Sequence, residues 1–134
     1  MADWLYAGSM EMRNILVVDD SPVVRSFHMN ILKTSGYKAD GASDGVEALE
    51  KSLSNPYDLI LCDINMPNMD GLTFIKKYRD SEENTPIIIL TTQEEAVHKQ
   101  EGFAAGADFY LTKPVTPKNL LLHIKLLLGI RGEA

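Results

Sequence analysis

The side chains of this 134-residue chain that could do chemistry together stand just after short aliphatic runs. Asp19 and Asp20 follow the run Asn14 to Val18, and Asp63 follows Asp58 to Cys62. Thr91 follows Pro86 to Leu90, and Lys113 follows Ala107 to Leu111. Three carboxylates brought to one place repel each other: two such charges 4 Å apart, at an effective dielectric near 20, cost about 4 kcal/mol. A cation is therefore expected among them. Oxygen ligands suit a hard divalent ion, and Mg²⁺ in particular binds through one or two carboxylates while keeping waters and a phosphate oxygen. Lys113 is a donor, so it would approach a carboxylate or a phosphoryl oxygen rather than the metal. With both cations present the cluster is near neutral, and one carboxylate can attack an anionic phosphorus centre.

Such convergence requires elements that deliver all of these residues to one rim. A fifth run, Tyr37 to Gly41, joins the four already named, and all five read as strands. The first, third and fourth are nearly continuous in Ile, Leu and Val, as central parallel strands covered on both faces are, and the poorer second run suits an edge. Helical spacing fills the intervals. Ser21-Pro22, Asp44, Asp70 and Thr116-Pro117 are helix starts, and Gly36 is a helix stop. Alternation of strand and helix predicts an α/β fold, a flavodoxin-like (βα)5 doubly wound parallel sheet, spanning about residues 13–130. In such sheets the ligand crevice lies beyond the carboxyl ends of the strands, where the candidate residues stand. Residues 1–12 are expected to be an extension outside the domain, in which Trp4, Leu5 and Tyr6 either dock on the surface or belong to an unstructured or appended tail.

Composition narrows the class of protein. At 45% hydrophobic and 24% charged, the chain is that of a water-soluble globule rather than a disordered one. Its single cysteine, Cys62, excludes an internal disulfide and reads as packing on a buried strand. No apolar run approaches the roughly 20 residues of a bilayer span, and the first residues lack the pattern of a secretory signal. A cytoplasmic protein is expected. The net charge of −6 argues against nucleic acid as a partner.

Asp-Asp after the first strand, Asp63-Ile-Asn-Met-Pro-Asn-Met-Asp-Gly71 after the third, Thr-Thr after the fourth and Tyr110-Leu-Thr-Lys-Pro114 at the fifth resemble the receiver domain of bacterial response regulators. The resemblance covers almost the whole chain, and stand-alone regulators of the CheY type look most alike. It implies strand order 2-1-3-4-5, a relationship known for that fold. It also implies that Asp63 is the phosphoacceptor, charged by a histidine kinase. Asp20, Asp63 and the backbone carbonyl of Asn65 would hold Mg²⁺, with Asp19 acting through a metal-bound water. Lys113 would pair with Asp63 and then with the phosphoryl group. Thr91 would be the switch hydroxyl, Tyr110 the aromatic that turns inward with it, and the Lys113-Pro114 bond cis.

Each of these residues also has a plainer reading. Asp19 and Asp20 alone could cap the helix after Ser21-Pro22, Tyr110 could be half-buried filling, and Asp70-Gly71 reads as a cap. His28, His98 and His123 fall on three predicted helices and do not suggest a zinc site or triad. On the last helix, Leu120, Leu121, Ile124, Leu127 and Leu128 form a core stripe, whereas Leu122 and Leu126, flanked by Lys118 and Lys125, lie opposite. That pair is either a docking face or is covered within the molecule.

The 21 residues after Lys113 suffice for one helix and no output domain, so output by binding is expected. The surface of the fourth helix, fifth strand and fifth helix would meet a target, the flagellar motor switch among the options, and a phosphatase would be a further partner. A phosphate sink or relay shuttle outside chemotaxis is the alternative. The protein is expected to be a monomer or weak homodimer and no enzyme beyond its own phosphorylation and dephosphorylation. A small phosphatase with an aspartyl-phosphate intermediate would want an acid where Asn65 stands, and a flavin carrier would want a hydroxyl-rich loop where Asp19-Asp20 stand. The family usually has a smaller residue at Thr92, and amides occupy Asn65 and Gln93. Thr92→Ala should therefore alter the dephosphorylation rate; equal phosphoryl lifetimes in the two proteins would contradict this.

Overall fold

A computed structural model describes residues 12–92 and 99–132, the side chains of 130–132 excepted. Trp4, Leu5, Tyr6, Gln93 and His98 lie outside the described residues. The strands are β1 (Asn14–Val18), β2 (Lys38–Ala42), β3 (Leu59–Cys62), β4 (Ile87–Thr91) and β5 (Phe109–Thr112). The helices are α1 (Pro22–Thr34), α2 (Gly45–Ser54), α3 (Gly71–Arg79), α4 (Lys99–Ala105) and α5 (Pro117–Gly132). All pairings are parallel and the order is β2-β1-β3-β4-β5, the flavodoxin-like arrangement expected.

The expected helix starts are the observed ones. Ser21 Oγ accepts from Val24 N, Asp44 from Glu47 N, Asp70 from Thr73 N, and Thr116 Oγ1 from Asn119 N. Each satisfies an amide that the first turn of a helix leaves without a partner. The second strand begins one residue later than the hydrophobic run because Tyr37 belongs to the end of α1. Its N–H bonds to Leu32 O and that of Gly36 to Lys33 O, with Gly36 in the left-handed region at φ +95°. The fifth strand also starts later. Asp108 is held through its side chain by the start of β4 and the end of α3, its carboxylate accepting from Ile87 N and from Arg79.

Alternation along the strands builds two cores. Leu16, Val18, Ile60, Cys62, Ile87, Ile89 and Tyr110 face Ala48 of α2, Phe74, Ile75 and Tyr78 of α3, and Ala105 of α4. On the other face, Ile15, Val17, Leu59, Leu61, Ile88, Leu90 and Leu111 pack on Leu32 of α1 and on Leu120, Ile124 and Leu128 of α5. Burial of both faces explains the unbroken aliphatic runs of the central strands. Leu121 and Leu127 are half-buried, completing the stripe of α5, and Leu122 and Leu126 remain 52% and 54% exposed. No described residue covers that pair.

Cys62 is fully buried, and burial followed by the charges of Asp63 and Asp19 pushes its thiol well above the ordinary value. His123 stacks on Phe109 with ring centroids 4.6 Å apart, and among the described residues no metal-like grouping includes it or His28. His28 is buried, and its Nδ1 has no hydrogen-bond partner among the described residues. Burial, helped by the charge of Lys113 and opposed by Asp19, lowers its pKa. The unfolded chain then takes up the proton first, so stability contributed by the neutral imidazole is complete above about pH 6.5 and falls as the pH drops below it. His28→Leu removes both this slope and the unpaired nitrogen. Urea unfolding should show the variant more stable by about 1–3 kcal/mol at pH 5, with a smaller gain at pH 8; a gain independent of pH would contradict the assignment.

Candidate functional site

Three of the site residues extend the hydrogen-bond ladder of the sheet by one step. Asp19 N donates to Ala42 O of β2 at 3.0 Å, and Asp63 N to Val18 O of β1 at 2.9 Å. Lys113 N donates to Thr91 O of β4 at 2.6 Å. Ladder bonding thus continues just past the strand ends, and the first residue beyond each strand is set at the carboxyl rim with its backbone already satisfied.

At that rim, carboxylate oxygens of Asp19, Asp20 and Asp63 lie within 4.8 Å of one another. Asp19 and Asp63 are 3% and 7% exposed, whereas Asp20 is open to solvent. Lys113 Nζ stands 2.8 Å from Asp19 Oδ2 and 3.6 Å from Asp63 Oδ2. The resemblance implied pairing of Lys113 with Asp63; that pair is present, and the shorter bond is to Asp19. Burial alone would lower the Lys113 pKa. The hydrogen bond to Asp19 and the charges of Asp63 and Asp19 outweigh it and hold the ammonium above its ordinary value.

The remaining lone pairs are engaged locally. Asp63 Oδ1 accepts from Ile64 N at 2.8 Å, and Asp19 Oδ1 from Ser21 N at 3.0 Å. Arg25 of α1 donates through Nη1 to the Asp19 carbonyl at 2.7 Å. Sequence reasoning did not single out Arg25, and its place as the fourth residue of a helix carries no motif that would have done so.

Thr91 is fully buried at the end of β4. Tyr110 of β5 pairs with Ile89, two residues earlier on the same face. The Tyr110 ring is buried to 9% exposure, lies 6.0 Å from the ring of Phe103, and has Lys99 Nζ 5.8 Å from its centroid. Thr92 and Asn65 are exposed beside the rim, and the Lys113–Pro114 bond is cis.

Three oxygen-donor side chains, two of them buried and one reachable from solvent, with one ammonium for three negative charges, fit a hard divalent cation such as Mg²⁺. One carboxylate within this set, that of Asp63 with an ammonium 3.6 Å away, is equipped to take up a phosphoryl group.

A doubly wound sheet with an acidic pocket at its carboxyl rim defines a class of phosphoryl-accepting switch proteins. The model of the response regulator receiver domain matches residues 15–125, and the chain belongs to that family. It is the receiver domain of a two-component response regulator, a role that implies a histidine kinase as phosphodonor and a target as partner.

Among curated proteins it is 41% identical over 114 residues to the transcriptional regulatory protein ResD of Bacillus subtilis, covering 85% of this chain and 47% of ResD. The chain therefore spans about half the length of that relative. The chemotaxis response regulator CheY4 of Vibrio cholerae is 40% identical with a TM-score of 0.82, covering 87% of this chain and 98% of that one. The receiver domain of the sensor histidine kinase PA1611 of Pseudomonas aeruginosa is 29% identical with a TM-score of 0.82, over 88% and 98% of the two chains. That structure has a magnesium ion coordinated in its active-site cleft. No helix among the described residues is long and apolar enough to cross a membrane.

Because Lys113 is the one ammonium bridging two of these carboxylates, Lys113→Met should cost about 1–3 kcal/mol in metal-free buffer at neutral pH. Added Mg²⁺ should recover most of it; thermal unfolding with and without Mg²⁺ measures both, and a variant as stable as the parent without metal would contradict the electrostatic account.

Proposed function

We propose that this chain is a phosphorylation-controlled binding switch in which Asp63 takes a phosphoryl group from a kinase phosphohistidine. The observation that carries the reading is the meeting of Asp19, Asp20 and Asp63 around Lys113. An Asp63 carboxylate oxygen forms the new O–P bond as the N–P bond of the donor breaks, and the imidazole leaves with the electron pair. Asp20, Asp63 and the backbone carbonyl of Asn65 would hold the metal directly, and Asp19 would act through water. When bound, Mg²⁺ supplies positive charge that offsets repulsion between carboxylate and phosphoryl oxygens. Lys113 keeps its ammonium on the same group before and after transfer. The Thr91 hydroxyl moves toward the phosphoryl oxygens, and Tyr110 follows into the space it leaves.

The surface that responds comprises α4, β5 and α5. Exposure of Leu122 and Leu126 there supports recognition of a protein target, and the switch acts through whatever contacts differ between the two states. Chemotaxis, with the flagellar motor switch as target, is favoured by the likeness to CheY4 along almost all of that chain. The match to half of ResD favours a second reading, a receiver that controls transcription when attached to or bound by another domain. A phosphate sink or relay shuttle outside chemotaxis is a further alternative. In each reading the protein is cytoplasmic, a monomer or weak dimer, spans one receiver domain over residues 13–130, and catalyses only its own phosphorylation and dephosphorylation.

Incubation with acetyl phosphate and Mg²⁺ should add one acid-labile phosphate to the protein and none to Asp63→Asn; an unlabelled parent overturns the reading. Leu122→Glu with Leu126→Glu should leave folding and labelling intact while reducing capture of the target at least tenfold. Collapse of the fold would instead place both leucines in the core.

A further inference from the structure

The backbone of the phosphoacceptor is pressed against the first residue of α3. A Cβ built on Gly71 would lie 2.0 Å from the Asp63 carbonyl oxygen and 3.0 Å from Asp63 C and Ile64 Cα. All three are backbone atoms, which cannot swing aside as a side-chain end can. Gly71 N also donates to Ile64 O at 2.7 Å. The φ of Gly71 is not positive, so close approach alone, not backbone conformation, requires glycine here. The turn that carries Gly71 is itself held: Asp70 Oδ1 accepts from Thr73 N at 2.8 Å, and Phe74 N donates to Asp70 O at 3.0 Å.

We propose that Gly71, kept in place by the Asp70 cap, is a positioning residue that seats the Asp63 backbone and so sets where its carboxylate stands relative to Lys113, Asp19 and Asp20. The proposal rests on the reading of Asp63 as phosphoacceptor. Carboxylate oxygens within 4.8 Å of one another and an ammonium 3.6 Å away leave little room for a displaced acceptor. Any residue larger than glycine must push Asp63 forward or α3 back by about an ångström, a shift of the size that can cost around a hundredfold in a reaction of positioned groups.

A comparison within the same loop separates positioning from stability. Gly45 of α2 is also crowded, its built Cβ lying 2.5 Å from Met69 O and 2.8 Å from the Met69 side chain, but none of its near neighbours belongs to Asp63. Gly71→Ala should slow phosphorylation by acetyl phosphate at least tenfold and weaken Mg²⁺ binding severalfold, measured well below the unfolding temperature. Gly45→Ala should change neither. Because Gly71→Ala risks not folding, Asp70→Ala and Asp70→Asn form a second pair. Loss of the cap in Asp70→Ala should slow phosphorylation by severalfold, and Asp70→Asn, which can still cap, should restore it.

Folded Gly71→Ala with parental rate and Mg²⁺ affinity overturns the proposal, as does an Asp70→Ala variant that is as fast as the parent. Equal slowing in Asp70→Ala and Asp70→Asn would assign the effect to charge and likewise overturn it. A parent protein that takes no phosphate at all would instead sink the assignment of Asp63.

Discussion

Two buried carboxylates bridged by one ammonium, with a third carboxylate beside them, impose the constraint to which the rest of the molecule answers. Asp19 and Asp63 are almost out of solvent, where their repulsion is weakly screened, and Lys113 is the charge within reach of both. The residue just past β5 thereby neutralises those just past β1 and β3, across a sheet in which β4 lies between β3 and β5. The arrangement still carries an excess of negative charge at a mouth opened by Asp20, which makes it receptive to a divalent cation and then to a phosphoryl group. Structure and reactivity have a common electrostatic origin here.

The two cores make that charge cluster tolerable. Aliphatic side chains on both faces keep the strands fixed, and the ladder bonds from Asp19, Asp63 and Lys113 prolong that order to the groups themselves. Helix α3 contributes from behind, its first residue lying directly on the Asp63 carbonyl. Such support matters because carboxylates of like charge would otherwise relax apart. Thr91 and Tyr110 sit on neighbouring strands of one face, so a change at the rim has a short packed route to the exposed surface of α4, β5 and α5.

Much of this was legible from local signals. Ser21-Pro22, Asp44, Asp70 and Thr116 announce helix starts because a short polar side chain is the ordinary partner for the free amides there, and all four act so. Strand edges were less legible. Tyr37 is hydrophobic enough to read as strand, yet the helix-ending bonds around Gly36 claim it. In the site, the residue types and their places after strands marked Asp19, Asp20, Asp63, Thr91 and Lys113. Arg25, which holds the Asp19 carbonyl, and the contact of Gly71 with Asp63 left no such mark, because backbone approach has no side-chain signature.

The amino-acid order by itself determined which elements form, which faces they bury, and which five side chains reach the carboxyl rim, since periodicity, capping and strand-end position are local properties. Tertiary structure alone decided that Lys113 lies nearer Asp19 than Asp63, that Leu122 and Leu126 stay uncovered by the described residues, and that no side chain fits at position 71. Those are distances between segments far apart in the chain, and distances of that kind are settled only when helices and sheet pack to their common minimum.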